Sequence, residues 1–165
     1  MTAYLLDTNV FIEAKNRYYG FDFCPAFWDW VLKMNRQGKV YSIEKVSDEL
    51  ISYKDELSDW ASDMDDGFFL PPDQEMNRSF GTVSSWIMSQ DYTQSAKNIF
   101  MQDADYYLIS YAHAHDHVVV THEIPSSGMK KVKIPNVCIG LGIKCINPFE
   151  MLRTNRARFV LEKGT

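Results

Sequence analysis

Four carboxylates are distinguished by where they fall: Asp7, Glu49, Asp105 and Glu123. Asp7 ends the apolar run Ala3-Tyr4-Leu5-Leu6, and Glu123 follows Val118-Val119-Val120-Thr121-His122. Short continuous apolar runs suit strands buried on both faces, and in open α/β sheets ligands bind beyond the carboxyl ends of strands. Glu49 and Asp105 fall in the first turns of two amphipathic helices. At helical periodicity Glu49 lies about 60° from Val46 and Asp105 about 60° from Leu108, on apolar edges, whereas Asp48 and Asp103 project to the far sides. A buried, unpaired carboxylate is costly, so these directions ask for a partner. Each acid alone also has a local explanation, as a turn or cap residue or as a helix-dipole partner. Together, converging carboxylates repel and call for a cation. An all-oxygen donor set selects Mg²⁺ or Mn²⁺ over zinc, and one or two such ions support in-line hydrolysis of a phosphodiester. Thr8, Asn9 and Thr121 are candidate donors that would orient the acids, although capping or turn formation accounts for each singly.

The elements that must position these residues follow from periodicity and punctuation. After the opening strand, Thr8 or Asn9 caps a helix through Phe11 and Ala14, and Arg17 to Cys24 reads as a loop. Pro25 opens a helix carrying Phe27, Trp30, Val31 and Met34, with Gly38 as its stop. Val40 to Ile43 is a second strand. Val46, Leu50, Tyr53, Leu57, Trp60 and Met64 predict one long helix from Glu44 to Met64. Phe68 to Pro72 is extended. Helices are expected over Asp73 to Met88, over Gln94 to Met101, and in the segment of Asp105, where Ala104, Leu108, Tyr111, Ala112 and His115 share a face. Ile124 to Lys133 is a Pro/Ser/Gly/Lys-rich loop. Ile134 to Cys138 and Lys144 to Ile146 read as short late strands, and Asn147-Pro148 starts a last helix. Strands alternating with helices imply a mostly parallel α/β sheet.

The 165 residues, 45% of them hydrophobic, suffice for one domain, 1–165, with its own core. A net charge of −5 argues against broad nucleic-acid binding by field alone; an acidic metal-dependent nuclease site is compatible with it. Lys130, Lys131 and Lys133 form a local basic cluster that serves either as solvated surface or as phosphate contacts; Arg153, Arg156 and Arg158 form another. Three cysteines without a disulfide framework, and no secretory or membrane-spanning segment, point to the cytoplasm.

Leu5-Leu6-Asp7-Thr8-Asn9-Val10-Phe11-Ile12 resembles the opening motif of the PIN domain. The later order is also similar: an acid in the helix after strand two (Glu49), then Asp105-Tyr106-Tyr107-Leu108-Ile109-Ser110-Tyr111-Ala112, then Val118 to Glu123 as a fourth motif. The motifs cover residues 3–123. The resemblance implies a Rossmann-like three-layer α/β/α fold with a five-stranded, mainly parallel sheet, and Mg²⁺- or Mn²⁺-dependent ribonuclease activity. It makes Asp7, Glu49, Asp105 and Glu123 the catalytic, metal-binding acids. Many small members are toxins of toxin–antitoxin pairs and many are homodimers, so an RNA substrate, an antitoxin partner and self-association are expectations too. The chain departs from the family at the fourth acid, usually Asp, in a longer insert from Trp60 to Met101, and in lacking an Asp-Phe ending after Glu123. These departures suggest a divergent subfamily, with a non-catalytic PIN-like interaction module as the alternative.

Two further constellations compete. His113, His115, His117 and His122 raise a zinc site, although only His113 and His117 have the i, i+4 spacing of one helix face. Cys138 and Cys145 fall outside zinc-knuckle spacing. Tyr18, Tyr19 and Phe21, near the first motif, are candidates for substrate or partner contact, whereas Trp60 and Trp86 fit core stripes better than base-stacking platforms.

Overall fold

The opening strand is the centre of the sheet. In the computed structural model, which describes residues 2–163, β1 (Tyr4–Leu6) lies between β2 (Val40–Ile43) and β4 (Val118–Val120), with β3 (Phe69–Leu70) and β5 (Cys145–Ile146) at the edges. The order is β3-β2-β1-β4-β5 and every pairing is parallel. Leu5 registers with Tyr41 on one side and Val119 on the other. The apolar runs around Asp7 and Glu123 are thus neighbouring strands buried on both faces, as their composition demands. From β1 the chain steps outward through β2 and β3, then returns to the opposite side of β1 to build β4 and β5. The crevice between β1 and β4 is therefore the topological switch point of the sheet, where open α/β folds place their ligands.

Helices complete a three-layer α/β fold with one contiguous core. These are α1 (Thr8–Glu13), α2 (Pro25–Arg36), α3 (Glu44–Ser52), α4 (Glu56–Ser62), α5 (Gln74–Ser89), α6 (Gln94–Gln102), α7 (Ala104–His115), α8 (Ile134–Leu141) and α9 (Pro148–Thr154). α7 lies on β2 and β4 and is covered by α5. Its burial explains why it is apolar nearly all round: Leu108, Ile109 and Ala112 face the interior, and even Ser110 is fully buried. No described helix is long and apolar enough to cross a membrane. Met1 and residues 164–165, the ends of the expected domain, lie outside the described residues.

Three expectations need correction. The long helix over Glu44 to Met64 is two helices. Lys54 takes a left-handed backbone at φ 53°, and Asp55 opens α4 with a capping box. Its side chain accepts from the Ser58 N–H at 3.0 Å while the Ser58 hydroxyl accepts from the Asp55 N–H at 2.9 Å. Lys15 adds an ion pair to Asp55 at 3.2 Å. The apolar series ran through this break because α4 covers the same core, but Tyr53, which spacing put on the stripe, is 56% exposed.

Ile134 to Cys138, read as a strand, begins α8. Pro135 sits in its first turn and Gly142 ends it with φ 71°, the usual Pro-start and Gly-stop asymmetry. The short stretch was compatible with strand or buried helix, and it packs on α5 as a helix. Gly140 makes that approach possible, since a Cβ there would lie 2.2 Å from Trp86 Cζ2. Finally, Arg17 and Tyr18 do not begin a loop. They complete a π-helical turn, Ala14–Tyr18, that extends α1.

Candidate functional site

Asp7 caps β1 and precedes α1, with its backbone N–H bonded to the Val120 carbonyl at 3.0 Å. That cross-strand bond fixes the carboxylate over the switch point, 3% exposed. Thr121, one residue past β4, is equally buried, and its hydroxyl donates to Asp7 Oδ2 at 2.9 Å. The same hydroxyl accepts the Glu123 backbone N–H at 3.1 Å. One side chain therefore sets both strand-end acids. On the β2 side, the Thr8 hydroxyl donates to Glu49 Oε2 at 3.0 Å, tying α1 to α3. Two of the three residues expected to orient acids do so. The third, Asn9, is exposed and makes no side-chain hydrogen bond to them.

The electrostatics place Asp105 in the same group. Burial pushes its carboxyl up to about 8, and the charges of Asp7, Glu123, Asp103 and Glu49 push in the same direction. Burial likewise raises Asp7 to about 7. There the Thr121 hydroxyl and the Thr8 N–H favour the ionised form, while the charges of Glu123 and Glu49 oppose it. Glu49 is raised by burial, with the Thr8 hydrogen bond opposing and the Asp103 charge adding. These four acids, drawn from two strand ends and two helices, feel one another across one crevice. Only the tertiary fold removes enough water to make that repulsion strong.

Glu123 supplies the most specific observation. Its Oε2 is fully buried without a hydrogen-bond partner, one of only two such side-chain atoms among the described residues, with Ser110 Oγ. A buried carboxylate oxygen without a donor needs an unseen one. A hard divalent cation meets that need, and the donor set of four carboxylates suits Mg²⁺ or Mn²⁺. No three of these acids bring ligand oxygens within 4.8 Å of one another.

Asp103 is the member that wheel reasoning missed. It was expected to project away from the site. However, it is the N-cap of α7, with extended backbone at φ −86° and ψ 160°, so a helical projection does not apply to it. It lines a cleft with Asp105, Lys130 and Lys131. The two lysines thus lie beside Asp105. Lys133 is outside that cleft and instead precedes α8 as its N-cap residue.

The histidines do not form a common site. His113 Nδ1 is 2.8 Å from the Ser79 hydroxyl, His117 Nδ1 accepts the Ala3 N–H at 3.3 Å, and His122 stacks on Tyr18. His115 Nε2 pairs with Asp73 Oδ2 at 2.6 Å. With Glu75 this makes a half-exposed group whose ligand atoms lie within 4.8 Å. Asp73 also caps α5 through the Met76 N–H at 2.8 Å, so the pair joins the start of α5 to the end of α7. Tyr19 and Phe21 are packing residues, stacked on Phe27 and Trp28 at centroid distances of 4.4 and 4.2 Å. The three cysteines are free thiols.

If Asp7 holds a divalent ion, Thr121→Val is expected to lower Mn²⁺ affinity by about 10–100-fold, the usual loss when a partner that orients a metal ligand is removed. Thr121→Ser, which keeps the hydroxyl, should restore most of it. Isothermal titration of each variant with Mn²⁺ checks this. Equal losses in both would assign Thr121 a packing role only.

No curated protein matches the chain at a significant level. Residues 4–159, nearly its whole length, match the family described as "Domain of unknown function (DUF4411)", and the chain belongs to that family.

Proposed function

We propose that the protein is a Mg²⁺- or Mn²⁺-dependent endoribonuclease of PIN-like type, hydrolysing phosphodiester bonds in RNA. The single observation that carries this is that Asp7 and Asp105 lie near enough to Glu49 and Glu123 to be raised by their charges, with a Glu123 oxygen buried and partnerless. The order of the motifs along the chain and the pair of lysines beside the acids support it.

A divalent ion bound there would supply Lewis-acid polarisation, a more acidic water and neutralisation of phosphate charge. The residues themselves do the positioning. Asp7 and Glu123 are held in register by Thr121, and Glu49 is held by Thr8. Asp105 approaches from the first turn of α7. Lys130 and Lys131 attract the RNA backbone toward a site that is otherwise strongly negative, countering the repulsion a polyanion would meet. A role as the toxin of a toxin–antitoxin pair, acting in the cytoplasm as a homodimer, is the biological setting we propose from the same family likeness.

Purified protein incubated with single-stranded RNA is expected to produce discrete fragments with Mn²⁺ or Mg²⁺, and none after chelation with EDTA. Restoring the ion should restore cleavage. A preparation that neither binds Mn²⁺ nor cuts RNA would point instead to a non-catalytic interaction module.

A further inference from the structure

Glu123 borders a second concavity, separate from the cleft lined by Asp105, Lys130 and Lys131. Its walls include His122, Ile124, Ile139 and Phe149, with Pro125 and Pro135, and Glu150 adds a carboxylate beside Glu123. Ile124 and Ile139 are 76% and 71% exposed. Both large aliphatic side chains stand open to water in the walls of this groove.

The aromatic members are held in place from behind. His122 stacks on Tyr18 with ring centroids 5.6 Å apart and planes 23° apart. Phe149 meets Tyr18 edge-on at 5.2 Å and His122 at 5.8 Å. Tyr18 reaches this position because the π-helical turn carries α1 past its sixth residue. Three flat rings from three separate segments are thus locked together beside Glu123. Such rings require no reorganisation before accepting another planar group.

We propose that this groove seats a nucleobase of single-stranded RNA next to the scissile phosphate, a role that rests on the nuclease function above. Polarity favours this occupant. The lysines line the cleft of Asp105, whereas the walls of the groove at Glu123 are mainly apolar and include two rings. That division matches a strand whose phosphates approach the lysines and whose base turns into the groove. A base paired in a duplex cannot turn out in this way, so the groove selects single strands.

The test uses Asp105→Asn protein, so that RNA is bound but not cut, with fluorescein-labelled single-stranded RNA of mixed sequence followed by anisotropy. Ile124→Ser and Ile139→Ser, both at exposed positions, are each expected to weaken binding roughly tenfold, the scale of one lost base contact. They should leave the dependence of affinity on salt unchanged. Lys130→Gln with Lys131→Gln should weaken binding and flatten the salt dependence, since phosphate contacts release counterions. Duplex RNA should compete poorly. Undiminished binding by both isoleucine variants, while wild-type protein still cleaves RNA, overturns the groove's role and leaves the nuclease standing. Conversion of a dimer to a monomer by either variant, with RNA affinity retained, would assign the groove to self-association and also overturn it. Failure of the parent protein to bind any RNA removes the nuclease function itself.

Discussion

Asp105→Asn is expected to reduce RNA cleavage by about three orders of magnitude while making the metal-free protein more stable. The activity loss follows from removing a charge that stabilises a divalent ion and, through it, the transition state; about 4 kcal/mol of such stabilisation corresponds to about 10³ in rate. The stability gain follows from the same burial. Asp105 is pushed up to about 8 by desolvation and by the charges of Asp7, Glu123, Asp103 and Glu49. Asparagine keeps the side chain's size, carries no charge, and offers an amide N–H₂ to the neighbouring carboxylates. Each unit of pKa elevation is worth roughly 1.4 kcal/mol, so relief on the order of a few kcal/mol at neutral pH is expected. For a chain of this size that is a rise in Tm of about 5–10 °C. Thermal unfolding in EDTA, alongside a cleavage assay with Mn²⁺, reads both effects. A variant that is inactive because it is unfolded, or one that cuts RNA as well as the parent, would contradict this assignment.

Raising the pH should destabilise the metal-free protein, and Mn²⁺ should cancel the effect. Asp7 and Asp105 are raised from 3.8 to about 7 and about 8 respectively. Between those limits the folded protein holds protons that the unfolded chain has already released. Stability therefore falls as pH rises wherever the folded state binds the extra protons. The contribution is fully present below about pH 4 and lost as the pH passes through about 7 to 8. Divalent ions bind the ionised acids, so their affinity must rise over the same interval, with release of protons. Melting temperatures measured between about pH 5 and pH 8 should decline in EDTA, with a shift on adding Mn²⁺ that grows toward the alkaline end. Asp105→Asn should flatten both trends. A Tm in EDTA that instead increases across this interval would mean that burial and neighbouring charge do not hold Asp7 and Asp105 protonated in the folded state.

These effects trace back to features that differ in how readily they can be read along the chain. The runs ending at Asp7 and before Glu123 were recognisable because a strand buried on both faces has to be continuously apolar. The inward placement of Glu49 and Asp105 was recognisable because a regular helix converts sequence spacing into direction. Asp103 escaped the same logic because it is a cap, where the backbone leaves the helix. The break at Lys54-Asp55 was hidden by an apolar series that served two helices in succession. The capping pair Asp55 and Ser58 was its only local mark. Ile134 to Cys138 was ambiguous in principle, because five residues lack the length that separates strand from helix.

By itself the sequence determined which residues carry charge, which segments must be buried and, through alternating element types, a mostly parallel α/β sheet. It also marked Asp7, Glu49, Asp105 and Glu123 as the acids with reason to face inward. Only the tertiary structure decided that Thr121 joins two of them, that Glu123 Oε2 has no partner, and that Tyr18 supports an aromatic groove while Tyr19 and Phe21 pack inside. The physical reason is range. Periodicity reports a residue's relation to its own helix or strand, whereas hydrogen bonding, desolvation and charge repulsion depend on neighbours that folding brings from far along the chain.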